Sequence, residues 1–208
     1  MEGAVMVLGL VAEMAAWWTV LARRRSVWLV MTPTFVAMGV AAVLVGSPEP
    51  SRAVPAGTAA AVGAAGGVAL YLATRVFVSV VQGWRAFREH AIRIYGRQAG
   101  VPLWAAVLLS AAVMVTGEEL FWRGVFQARL SAALDARTAG AAFTWVAFVV
   151  ANLPSANLAI MAGAVVGGAV WTVLGWWTRG FLASLVCHAV WTALMLSAPV
   201  VRLAGEAP

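Results

Sequence analysis

Charge is scarce in this 208-residue chain. Only 11% of its residues are Asp, Glu, Lys or Arg, against about 25% in a soluble domain. Lysine is absent, and all fourteen basic residues are arginine. We read that bias as genome composition and attach no function to it. There is one cysteine, Cys187, which excludes an intrachain disulfide. There are two histidines, His90 and His188, and no H-E-x-x-H run, so no metal-ligand set is expected. What fills the space is apolar: 63% of the chain is hydrophobic and its mean hydropathy is +0.90. No soluble fold of this length could bury so much apolar surface, so the chain reads as a polytopic membrane protein. Its formal charge of +6 then calls for no nucleic-acid partner, because arginines in loops set membrane orientation.

The apolar runs divide as 4–22, 27–46, 58–81, 101 to the mid-120s, 139–153, 157–176 and 181–198. The expected fold is therefore all-α: a transmembrane helix bundle of about seven spans. Met1-Glu2-Gly3 lacks the basic start of a signal peptide, so the first run is expected to be a retained span. The loop SPEPSRAVPAG, 47–57, is a Pro- and Gly-rich turn. QGWRAFREHAIRIYGRQAG, 82–100, is different. Arg85, Arg88, Arg93 and Arg97 alternate with Trp84, Phe87, Ile92, Ile94 and Tyr95, as in an amphipathic helix lying on the membrane surface. QARLSAALDART, 127–138, reads as a connection between spans. Three regions follow: residues 1–81 with three spans, the interfacial helix 82–100, and the core helices 101–198. The basic loops at 23–25 and 82–100 fall on one side, which the positive-inside rule makes cytoplasmic, with the N-terminus outside.

An ionisable residue inside a span is a candidate functional residue, because it is costly unless paired. The candidates are Glu13, Arg75, Glu118, Glu119, Arg123, Asn152, Asn157 and His188; His90, in the surface helix, reads as interfacial. In TGEELFWRGVFQ, 116–127, Glu119 and Arg123 stand at i and i+4 and can pair on one helix face. Glu118 points about 100° away, with Trp122 rather than a base at its own i+4 position. The pair thus accounts for one carboxylate and leaves Glu118 free for general-base work on a water. The plainer alternative is a helix-end salt bridge beside a solvated glutamate. His188 is mid-span, and alone it reads as a hydrogen-bonded interior histidine. Asn152 and Asn157 flank Pro154, whose freed backbone groups polar side chains can satisfy. Glu13 is expected to pair with another buried polar group.

EELFWR at 118–123 resembles the EExxxR motif of the CAAX-protease and bacteriocin-processing family, glutamic-type intramembrane endopeptidases that include the prenyl-protein protease. The family's second motif, FxxxH, corresponds here to Phe148-Val149-Val150-Ala151-Asn152. Its last motif, His followed four residues later by Asn or Asp, corresponds to His188 and Thr192. The resemblance covers roughly 100–197. It implies Glu118 as the base that activates water, Glu119 and Arg123 as the pair that orients it, and His188 as a stabiliser of the oxyanion. Asn152 and Thr192 complete the implied catalytic set, with no metal or other cofactor. Asn152 departs from the family's histidine, since an amide holds a water but does not relay a proton near neutral pH. Thr192 can still donate one hydrogen bond.

Three functions follow from this reading. The first is an intramembrane endopeptidase acting on a membrane-bound or lipid-anchored protein or peptide, in the lipid bilayer of a bacterial inner (plasma) membrane. The second is a catalytically impaired scaffold or immunity protein of the same fold. The third, a small proton-linked transporter using Glu13 and Glu118, ranks last because no repeated half with matching broken helices is visible.

Overall fold

A computed structural model describes residues 2–81, 83–97 and 100–200, without the side chains of Tyr95 and Arg97. Those two members of the expected amphipathic pattern therefore lie outside the described residues.

Apolar runs bounded by arginines, prolines and glycines leave the backbone one way to satisfy itself in lipid, the helix. Among the described residues eight helices result: α1 Glu2–Leu21, α2 Val27–Gly46, α3 Ala56–Val81, α4 Arg85–Arg97, α5 Leu103–Ala133, α6 Arg137–Ser155, α7 Leu158–Thr178 and α8 Leu182–Ser197. Among the described residues there is no strand. Of these described helices, six are long and apolar enough to cross a membrane, and α8 is a shorter apolar helix. This is the all-helical bundle expected, and the chain is an integral membrane protein.

The connection expected at 127–138 is mostly helix. α5 continues to Ala133, and the chain turns only around Asp135, at φ 48°. Arg129 is the reason for the error. It reads as a loop charge, but it sits at the helix end against Glu2, 2.8 Å away, and donates to the Gly46 carbonyl at 3.2 Å. Glu118 consequently lies midway along α5.

Helix contacts in lipid rest on close packing by small residues rather than on exclusion of apolar groups from water. α3 runs alongside α8 in the same direction. Gly63 and Gly67 admit the Ala183 and Cys187 carbonyls so closely that a Cβ on either would sit 2.5 or 2.6 Å from them. α2 and α5 cross where Gly39 faces Gly117, and a Cβ on Gly39 would lie 2.7 Å from the Gly117 Cα. α4 is docked as well as interfacial. Its Phe87 and Ala91 are buried against Val78 of α3 and are packed by Leu158, Ala159 and Ala162 of α7. Its outer face carries the ion pair Arg85–Glu89.

Candidate active site

Apart from Arg75, the ionisable candidates within the spans converge between α1, α5, α6, α7 and α8. The segment Val115–Glu119 is regular α-helix held between two wider π-helical turns, Leu108–Met114 and Leu120–Phe126. Single π turns inserted in α-helices often mark functional sites. Here they bracket the two glutamates.

Glu119 and Arg123 pair as their spacing requires. Arg123 Nη1 donates to Glu119 Oε1 at 3.1 Å, with both side chains wholly out of solvent. Arg123 is held further by the Gly168 carbonyl at 3.3 Å and Thr172 Oγ1 at 3.4 Å, and it lies 4.7 Å from the ring centroid of Phe148. A fixed guanidinium makes the neighbouring carboxylate tolerable in a dry interior, which unpaired would cost several kcal/mol. Glu119 Oε1 also meets His188 Nδ1 at 2.9 Å. The carboxylate, paired to arginine, accepts, so Nδ1 carries the proton and Nε2 is left with its lone pair. The imidazole is stacked on Trp171, centroids 3.6 Å apart. Its orientation is thus fixed by a hydrogen bond and a flat wall.

Glu13, whose partner the sequence left unnamed, is fully buried. Its Oε2 accepts from Trp122 Nε1 at 2.8 Å, and its Oε1 from Asn152 Nδ2 at 3.2 Å. Asn152 Nδ2 donates also to the Phe148 carbonyl at 2.9 Å. Glu118, 8% exposed, makes no hydrogen bond with any described residue. Its carboxyl group faces a cavity of about 510 Å³ shared with Asn152, His188 and Thr192. From that end the cavity runs between apolar walls, Leu70, Phe77, Met114, Phe148, Trp171 and Trp191 among them, to Phe87, Ala91 and Ile94 of α4.

The structure therefore brings six side chains together: Glu118, Glu119, Arg123, Asn152, His188 and Thr192. It leaves two other candidates outside, and places His90 apart from the site as well. Arg75 is exposed on the outer face of α3, with its guanidinium 6.0 Å from the Tyr71 ring centroid. Asn157 caps α7, accepting from the Ala159 and Ile160 amides at 3.0 and 3.2 Å and donating to the His90 carbonyl at 3.0 Å. His90 accepts the Leu158 amide at Nδ1, 2.9 Å away, and so ties α4 to α7. Glu13 joins the group from a helix the motifs do not reach. The one signal for it was a carboxylate in the middle of an apolar run.

Residues 100–194 match a family model described as type II CAAX prenyl endopeptidase Rce1-like. No curated protein and no solved structure matches the chain. The matched segment, a little under half of the chain, carries Glu118, Glu119, Arg123, Asn152, His188 and Thr192 together, and over it the chain is similar to the CAAX-protease family of membrane proteases.

Proposed function

We propose that this chain is an intramembrane endopeptidase of glutamic type, and that it cleaves a membrane-bound or lipid-anchored protein or peptide near one end. One observation carries the reading. Among the described residues, where the other site carboxylates are tied to Arg123, His188, Trp122 or Asn152, Glu118 alone presents an unbonded carboxyl group to a deep apolar cavity. A carboxylate so placed accepts a proton from a water as that water attacks a peptide carbonyl.

The C–O bond forms, the water proton passes to Glu118, and the carbonyl electrons move to oxygen. His188, with Nε2 toward the cavity, takes that same proton on from Glu118 and becomes the cation that faces the oxyanion. When the C–N bond breaks, the proton goes to the departing amine. Arg123 and Glu119 hold His188 rather than touch the substrate. The apolar walls suit a lipid-modified or hydrophobic segment. By the positive-inside rule the α4 end faces the cytoplasm of a bacterial plasma membrane, so substrate enters from that side.

The test compares protein termini in membranes of cells making wild-type protein or Glu118→Gln at equal level. Termini that vanish with Glu118→Gln establish the protease and name its substrates. Asn152, where the family carries histidine, favours a second reading, a relative that binds such segments without cutting. No Glu118-dependent terminus, with both proteins folded in the membrane, would establish that reading instead.

A further inference from the structure

Asn152 is the position at which this chain departs from the family, and its surroundings determine what the amide can do. An asparagine side chain has two N–H donors on one atom and one acceptor oxygen. Both donors are committed, one to Glu13 Oε1 at 3.2 Å and one to the Phe148 carbonyl at 2.9 Å. The orientation is dictated by the partners. A backbone carbonyl never donates, so a reversed amide would set its oxygen against the Phe148 oxygen. Oδ1 is left for the cavity, which Asn152 lines. Glu13 is fixed in turn by Trp122, three residues beyond Glu119 on α5 and 0% exposed. Through its two oxygens Glu13 joins the helix of the glutamates to the helix of Asn152.

We propose that Glu13, which lies outside the matched segment 100–194, is a positioning residue: it turns Asn152 Oδ1 into the cavity, where Oδ1 and the Glu118 carboxylate hold the attacking water by its two hydrogens. The proposal rests on the endopeptidase reading. With both hydrogens accepted, the water's lone pair is free to face the scissile carbonyl. The hydrogen on Glu118 is transferred as the C–O bond forms, and the hydrogen on Asn152 stays on oxygen and becomes that of the product carboxylic acid. Asn152 therefore orients without relaying a proton, and one base suffices. The amide in place of histidine is a working part when Glu13 holds it.

Glu13→Gln tests this. Glutamine has one side-chain oxygen, and two donors, Trp122 Nε1 and Asn152 Nδ2, need one each. One of those bonds is lost, and Asn152 is no longer held. A peptide spanning a terminus that Glu118→Gln abolishes in cells is made with a quenched fluorophore. It is cleaved by purified protein in liposomes. Glu13→Gln is expected to lower kcat about 100-fold, the usual result of misplacing a reacting group by about 1 Å. KM should stay within about threefold, since Glu13 does not line the substrate cavity. In an Asn152→Ala background, Glu13→Gln should lower kcat far less than in wild type, because its route to the water through Asn152 has gone.

A kcat for Glu13→Gln within about threefold of wild type overturns the proposal, as does an equal loss in both backgrounds. The second result would make Glu13 a stability residue only, and thermal unfolding in detergent would move in parallel. If wild-type cells show no Glu118-dependent termini, it is the endopeptidase reading that falls. If they do and Glu13→Gln cuts normally, that reading stands and only the role of Glu13 is lost.

Discussion

The crossing of α2 and α5 sets the position of Glu118, and it can be broken by one methyl group. Gly117 precedes Glu118. A Cβ built on it would overlap the Phe35 carbonyl oxygen of α2 and lie 2.6 Å from the Phe35 carbonyl carbon. Both atoms are backbone, so no rotamer change relieves the clash and the helices must part. Overpacking of this kind costs about 1–3 kcal/mol, offset by about 1 kcal/mol because alanine is the better helix former. The net expectation for Gly117→Ala is a loss of about 0–2 kcal/mol in stability. The same parting carries Glu118 about 1 Å from its place, which typically lowers a catalysed rate about 100-fold.

Gly66→Ala is the matched control. Its Cβ would meet only Cys187 Sγ at 3.5 Å and Leu174 Cδ1 at 4.0 Å, ordinary contacts. It should be neutral or stabilising by up to about 1 kcal/mol. Thermal unfolding in detergent and cleavage of the substrate peptide, measured on both variants, decide the matter. Gly117→Ala with wild-type stability and rate would refute the claim that this contact is backbone on backbone.

Other expectations follow from single contacts. Arg123→Met leaves the Glu119 carboxylate buried without its cation and should cost about 3–5 kcal/mol, whereas Arg123→Met with Glu119→Gln should recover much of that loss; a thermal-unfolding cycle reads it. Burial and the neighbouring Arg93 push the His90 imidazole below its ordinary 6.5, with Glu89 opposing. The undocked state therefore takes up the proton more readily, so the His90–Leu158 bond contributes fully above pH 6.5 and weakens as the pH falls through that value. Amide exchange at 158–160 should rise on acidification in wild type, and the rise should be missing in His90→Ala.

What could be read in advance depended on whether a residue's partner was local. Glu119 and Arg123 are four apart, so helix geometry alone announces the pair and leaves Glu118 over. The apolar runs likewise announce the spans, since in lipid length and hydropathy leave no alternative to a helix. The end of α5 was misread because Arg129 looks like a loop residue until Glu2, at the far end of the chain, is beside it. His188 finds Glu119 across 69 positions, and Glu13 finds Trp122 and Asn152 across 109 and 139. No periodicity carries information over such distances. The π turns on either side of the glutamates leave no pattern in LLSAAVM or LFWRGVF that distinguishes them from ordinary helix.

Scarcity itself was nevertheless a guide. A buried carboxylate needs donors, and the core of this bundle has few to offer. Glu119 takes Arg123 and His188, and Glu13 takes an indole and an amide. Among the described residues, Glu118 is then the one acidic group in the site with no protein donor. In an apolar interior such a group is stable only if something transient, a water or a substrate amide, is meant to complete it. The same accounting that makes charge rare in this chain therefore points to Glu118 as the residue whose partner is not part of the protein.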